Sequence, residues 1–264
     1  MSELTALFRK RIGLSGDEPI AWDSLPSALA QMAITIPFEN FGIIRNRIND
    51  ISERNLIQKI IFNREGGLCY ELNPLLYLVL IDNGFDAVLT RGVVYNHASR
   101  TYMSLGRTHV TILIAHQGET YLADTGFGGN LPLTPVPLSG ETVSSLNGQF
   151  RIRHRPTDHG DYTFEMKLKH KDTDWRIGYA FDSKRPEAGL SELNEIQKII
   201  AGHEESPFNK NRLITRLTNS GNVTLTDQTF TEWRDGHVTK EEMNRETFSE
   251  RLYRFFEMED SKVL

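Results

Sequence analysis

The sequence predicts an α+β protein in three successive regions: helices first, strands second, and a mixed third region. Three observations carry this. Apolar residues recur at helical spacing as far as Gly84; short runs of β-branched and aromatic residues fill Phe85 to Asp182; helix and strand signals alternate beyond Arg185-Pro186. A chain of 264 residues buries a substantial core. The changes of pattern divide it at 1–84, 85–186 and 187–264.

In the first region Asp23 or Ser24 is positioned to cap a helix carrying Leu25, Leu29, Met32 and Ala33 on one face. A second helix is expected in ISERNLIQKIIF, with Ile57, Ile60 and Ile61 as its apolar stripe. A third contains Leu75 to Ile81 and stops at Asn83-Gly84. The second region reads as the strands DAVLTRGVVY, HVTILIA, ETYLADTGF, QFRIRHR, DYTFEMKLKH and WRIGYAF, with GGNLPLTPVPLSGE as a long loop; a mostly antiparallel sheet or small barrel fits them. The third supplies a helix over GLSELNEIQKIIAGH, strands around RLITRLT and NVTLT, and a last helix. For that helix Thr239 and Glu242 match a capping box, and Met243, Phe248, Leu252, Phe255 and Phe256 form the apolar stripe.

Composition narrows the function. A formal net charge of −5 argues against nucleic acid as the main partner, because neutralising phosphates needs a basic surface. The longest apolar run, Leu75 to Ile81, falls far short of the roughly 20 residues that span a bilayer, so no membrane partner is expected. The N-terminus lacks the apolar stretch of a secretory signal, which points to the cytoplasm. One cysteine, Cys69, excludes an internal disulfide and cysteine-rich zinc sites.

Cys69 lies in REGGLCYELN, after a glycine pair and at the start of a predicted helix. A helix N-terminus offers free N–H groups and partial positive charge, which favour a thiolate and hold a developing oxyanion. A free thiol, with a pKa of about 8.5, needs a histidine partner to become a standing nucleophile. His109 is the best placed of eight histidines, because it opens the strand HVTILIA. Asp124 follows 15 positions later at the end of ETYLAD, where antiparallel pairing would bring it to the imidazole as the orienting carboxylate. Each residue alone has a plainer reading: a buried thiol, a surface histidine, a turn aspartate before Gly126.

Taken together, PFEN (37–40), GGLCYELN (66–73), His109 with HVTIL, DTGFGG (124–129) and SPFNK (206–210) resemble the arylamine N-acetyltransferases, in order and across most of the chain. The resemblance implies a helical bundle, a central antiparallel β-barrel and a C-terminal α/β lid around a cysteine-protease-like core. It implies Cys69 as the acetyl-carrying nucleophile, His109 as its base and Asp124 as the orienting carboxylate. Acetyl-CoA would be the donor, with no metal, and a small aromatic amine or hydrazine the acceptor, in ping-pong order. Phe127 and Phe38 are implied as contacts of the aromatic substrate, and Gly126, Gly128 and Gly129 as the loop near the CoA pyrophosphate. Lys210, Arg212 and Arg216 offer added positive charge or simply a solvated basic face.

Two positions depart from the family pattern. Glu65 stands where an arginine usually precedes the glycine pair, so Glu39 and Glu65 are expected to repel unless Arg64 turns inward, another cation intervenes or a carboxylate is protonated. Pro74, five positions after Cys69, requires the helix to start late or to kink. The alternatives are a cysteine hydrolase or transglutaminase-like enzyme, a non-catalytic CoA- or aromatic-binding relative, and a metal site built on His97, His109 and Cys69.

Overall fold

Ser2 begins the first helix, α1 (Glu3–Ile12): its hydroxyl accepts the Thr5 amide at 3.1 Å, and Gly13 ends the helix at φ 73°. This is a computed structural model, and it describes residues 1–259. A 3₁₀ turn at Trp22–Ser24 leads into α2 (Leu25–Thr35). Ser24 stands at the cap position, yet its hydroxyl takes the amide of Ala21 and none from α2. Strand β1 (Phe38–Glu39) and helices α3 (Phe41–Ile44) and α4 (Glu53–Leu56) follow. The helix expected over ISERNLIQKIIF forms, but from Ile57 to Phe62 it widens into a π-helix. Helix α5 (Cys69–Asp82) then runs to Asn83 and Gly84, where the expected stop occurs.

The central strands are β2 (Asp86–Asn96), β3 (Thr101–Tyr102), β4 (His109–His116), β5 (Glu119–Ala123), β6 (Val136–Pro137), β7 (Val143–Ser145), β8 (Gly148–Thr157), β9 (Gly160–Leu168) and β10 (Arg176–Pro186). They form one antiparallel sheet in the order β6-β5-β4-β2-β10-β9-β8-β7, with β3 added to β2. The sheet curls into a nearly closed barrel, bringing β6 against β8. Its interior is lined by Phe150, Ile152, Phe164, Tyr179 and Phe181, all fully buried and spaced by two along their strands.

The third region contains α6 (Leu193–Gly202), β11 (Leu213–Thr218), β12 (Gly221–Thr226), β13 (Thr229–Arg234), β14 (His237–Glu242) and α7 (Arg245–Phe256). Strand β1 joins these strands in the order β1-β11-β12-β13-β14, which ties the N-terminal region to the C-terminal sheet. The capping box expected at Thr239 and Glu242 does not form. Both residues lie in β14, and α7 starts later with Asn244, whose side chain accepts the Thr247 amide at 2.9 Å. Asp235-Gly236, with φ of 49° and 85°, makes the two-residue turn that joins β13 to β14. That Asp-Gly pair was the sequence signal for the hairpin. Phe248, Leu252 and Phe256 do form the buried stripe of α7, whereas Met243 precedes the helix.

The largest core lies between the N-terminal helices and the barrel, around Leu72, Leu75, Leu76 and Val79 of α5. Helix α6 adds Leu193, Ile196 and Ile200 to that core. Each such side chain contributes about 1.5–3 kcal/mol by leaving water. No helix among the described residues is long and apolar enough to cross a membrane.

Candidate active site

Helix α5 begins at Cys69 because the chain before it is fixed in extended form. Gly67 bridges to Phe38 of β1, the Glu39 amide donates to the Gly67 carbonyl at 3.0 Å, and Leu68 takes φ −92° and ψ 179°. The Glu71 carboxylate then accepts the Leu68 amide at 3.0 Å and closes the first turn. Pro74 neither delays nor replaces this start; it sits buried in the second turn, where its missing N–H deprives only the Tyr70 carbonyl of an intrahelical donor. The Cys69 and Tyr70 amides therefore project from the helix end without intrahelical acceptors.

The Cys69 sulfur is buried and lies 3.5 Å from the Thr108 carbonyl, next to His109. His109 opens β4, and the antiparallel register with β5 sets Ala123 opposite Ile112, so the turn residue Asp124 returns to the imidazole. His109 Nε2 meets Asp124 Oδ2 at 2.7 Å. With Nε2 so engaged, Nδ1 is the ring nitrogen left for the sulfur. Burial opposes charge on His109, but the Asp124 carboxylate and then Cys69 outweigh burial and raise the imidazole to about 10.

Asp124 is 1% exposed and has four donors. Oδ1 accepts from Asn73 Nδ2 at 2.9 Å and the Gly126 amide at 2.8 Å; Oδ2 accepts from His109 and from the Tyr179 hydroxyl at 2.8 Å. Burial would raise its pKa, but His109, Asn73 and Gly126 together lower it. Tyr179 keeps its proton, because burial and then Asp124 push its hydroxyl well above the ordinary range.

Sequence reasoning missed Asn73 and Tyr179. Asn73 lies one helical turn after Cys69 on the same face, fully buried, and its amide links Asp124, the Val110 carbonyl at 2.6 Å and the Thr125 amide at 2.9 Å. That spacing was the available signal. Tyr179 was hidden inside WRIGYAF, where it reads as one more apolar strand residue.

The implied substrate residues divide. Phe127 is half-buried with its ring 5.0 Å from His109 and 5.2 Å from Tyr179, so it borders the His109–Asp124 pair directly. Phe38 is buried and packs on Phe208 at 5.6 Å, and Asn40 bonds the Phe208 and Asn211 carbonyls, so the PFEN and SPFNK motifs hold each other. Gly126 must be glycine: a Cβ there would lie 2.6 Å from the Cys69 Cα. Gly128 uses φ 60° beside Phe38 and Thr215, and Gly129 faces Asn222. Arg212 is bonded to Asp227 and stacked over Phe248, and Arg216 lies over Phe256; Lys210 is exposed. His97 bonds the Ile177 carbonyl at 2.8 Å, and no metal-binding cluster of His, Cys, Asp and Glu occurs among the described residues.

Beneath the first turn of α5 the question raised by Glu65 has an answer. Arg64 does not turn inward; it is exposed and pairs with Glu257 at 3.8 Å. Lys59, from the π-helical stretch, is the cation that intervenes, 2.6 Å from Glu71 and 3.5 Å from Glu39. Burial disfavours its charge, but Glu71 and then Glu39 outweigh that and push its pKa up. Arg11 also supports the loop, donating to the Ile60 carbonyl at 2.8 Å and, more loosely, to the carbonyls of Arg64 and Glu65.

With this geometry in hand, comparisons with known proteins are specific. A family model described as N-acetyltransferase matches residues 22–262. An uncharacterized acetyltransferase of Bacillus subtilis is 38% identical over 248 residues, 94% of this chain and 95% of that one. The crystal structure of arylamine N-acetyltransferase C from Bacillus anthracis superposes with a TM-score of 0.92 at 38% identity, covering 97% of this chain and 99% of that one. An arylamine N-acetyltransferase structure from Bacillus cereus, described as having a Cys-His-Glu catalytic triad, superposes at 0.91 with 38% identity and the same coverage. In this chain the carboxylate bonded to His109 belongs to an aspartate.

Proposed function

Because the chain belongs to the arylamine N-acetyltransferase family, we propose that it moves an acetyl group from acetyl-CoA to an arylamine, arylhydrazine or hydrazine by way of a thioester on Cys69. The observation that carries the proposal is the placement of the sulfur: at a helix N-terminus, beside an imidazole held by a buried carboxylate.

In the first half-reaction the Cys69 sulfur attacks the thioester carbonyl of the donor. A bond forms between that sulfur and the acetyl carbon, the bond to the CoA sulfur breaks, and the proton at His109 Nδ1 passes to the departing thiol. In the second the amine nitrogen attacks the acetyl-Cys69 carbonyl, His109 receives the amine proton, and the Cys69 sulfur leaves. The Cys69 amide, free at the helix end, is the donor we assign to both developing oxyanions. Asp124 keeps the ring in one tautomer and offsets its positive charge.

The edge of Phe127 beside His109 supports its role against an arylamine ring. Phe38, buried and packed on Phe208, is the second aromatic we assign to that pocket. Gly126 packs its backbone directly against Cys69, and Gly128 and Gly129, beside Phe38, Thr215 and Asn222, belong to the loop we assign to the neighbourhood of the CoA pyrophosphate. The division into 1–84, 85–186 and 187–264 is part of the proposal, as is a cytosolic location, since the chemistry needs Cys69 as a reduced thiol. The net charge of −5 supports the absence of a nucleic-acid partner.

Incubation with acetyl-CoA and no amine tests the reading by intact mass. The wild type should gain one acetyl group, Cys69→Ala none, and an added arylamine should discharge the modified protein. A wild type that stays unmodified overturns the proposal.

A further inference from the structure

Glu71 uses both carboxylate oxygens. Oε2 accepts the Leu68 amide at 3.0 Å, immediately before Cys69, and Oε1 accepts from Lys59 Nζ at 2.6 Å. The same ammonium faces Glu39 Oε1 at 3.5 Å, while Glu39 Oε2 holds the Phe41 amide at 2.5 Å. Glu39 in turn belongs to β1, whose backbone bonds Gly67 on one side and β11 on the other. One lysine thus joins the nucleophile's first turn to the strand that carries the C-terminal sheet. It reaches there from the π-helical stretch Ile57–Phe62.

We propose that Lys59 is a positioning residue for the nucleophile: by fixing Glu71 it fixes the Leu68 amide and so the place from which Cys69 and its amide meet the acyl group. It touches no substrate. Its effect runs through Glu71 to the orientation of the helix end, where small displacements of a reacting atom are costly. The inference rests on the acetyl-transfer reading above for its substrate, but the geometry it concerns can be tested without one.

The experiment compares wild type, Lys59→Met and Lys59→Arg in single-turnover acetylation by acetyl-CoA and in alkylation of Cys69 by iodoacetamide. Lys59→Met should acetylate roughly 10–100-fold more slowly at saturating donor, as expected for a displaced reacting atom, with the apparent KM changed by less than about threefold. Lys59→Arg, which retains the charge, should recover to within about threefold of wild type. If Lys59→Met does not fold, Lys59→Met with Glu39→Gln decides the matter, since removing one acid with the base leaves the buried cluster's net charge unchanged. A folded variant without Lys59 that is acetylated at the wild-type rate, whatever its melting temperature, overturns the proposal. A wild type that accepts no acetyl group defeats only the functional reading; alkylation rates then still decide whether Lys59 places Cys69.

Discussion

Two carboxylates of the site, Asp124 and Glu39, are each 1% exposed, and although burial pushes both pKa values up, the net shift is downward for Asp124 and upward for Glu39. Burial would raise Asp124, but it is lowered because His109, Asn73 and Gly126 outweigh burial. Glu39 is raised because burial dominates, Lys59 only partly offsets it, and Glu71 adds repulsion. Its Oε2 has the Phe41 amide, while Oε1 lacks a hydrogen-bond partner and sees Lys59 only at 3.5 Å. Equal burial therefore says little about a buried acid. The number and sign of the groups aimed at it decide whether it sits as a stable anion or under strain.

The strongest way to break this contrast is to neutralise the well-served side. Asp124→Asn keeps the shape but presents an amide to His109 Nε2, which turns the imidazole to the wrong tautomer for Cys69. Acetyl turnover should fall by roughly 10³–10⁴-fold, the scale seen when a triad carboxylate is lost in this way. Stopped-flow acetylation of Cys69 checks it, and a loss under about tenfold would show that Asp124 is not the orienting group.

Next in size is Asn73→Ala. Removing that side chain strips Asp124 Oδ1 of one donor, the Val110 carbonyl of its side-chain donor and the Thr125 amide of its acceptor, all in the interior. Each buried group left unmade costs about 1–3 kcal/mol, so denaturant unfolding should show a loss of at least about 2 kcal/mol. Turnover should drop as well, because Asn73 joins the nucleophile helix to the turn that carries Asp124. Unchanged stability with unchanged turnover would mean that the network relaxes around the gap.

The two sides were unequally readable from the chain itself. Cys69, His109 and Asp124 could be assembled because a lone thiol, a strand-opening histidine and a strand-ending aspartate are local features, and antiparallel pairing does the rest. Asn73 obeyed an equally local rule, the helical repeat from Cys69, but an amide in an apolar run carries no chemical flag. Lys59 was different in kind. An apolar stripe at 57, 60 and 61 assigns residue 59 to the outer face of a regular helix, yet from a π-helical stretch its ammonium meets Glu71. The need for a cation was visible in Glu39 and Glu65; its source was a tertiary contact that periodicity does not encode. The final strands were lost for a similar reason, because the alternating polar text of HVTKEE reads as a helix entrance until the Asp235-Gly236 turn sets it beside β13.

The smallest expected effect, and the one that sharpens the comparison most, belongs to Glu39→Gln. A carboxylate whose folded-state pKa is raised contributes stability at pH below its unfolded value of 4.5 and loses it as pH rises through the folded value, so at neutral pH Glu39 weighs against the fold. The amide oxygen of glutamine can keep the Phe41 bond, and Lys59 keeps Glu71. At pH 7 the variant should melt at or slightly above wild type, by up to about 3 °C, the shift that ~1 kcal/mol produces in a chain of this size. That advantage should shrink as pH falls and vanish below 4.5, where wild-type Glu39 binds its proton in both states. Asp124 carries the opposite sign, with stability present at neutral pH and lost on acidification. Calorimetric melts of the two proteins from acid to neutral pH separate these cases: a Glu39→Gln variant that melts well below wild type at pH 7 would mean that the ion pair with Lys59 outweighs burial, and that both acids are held as stable anions after all.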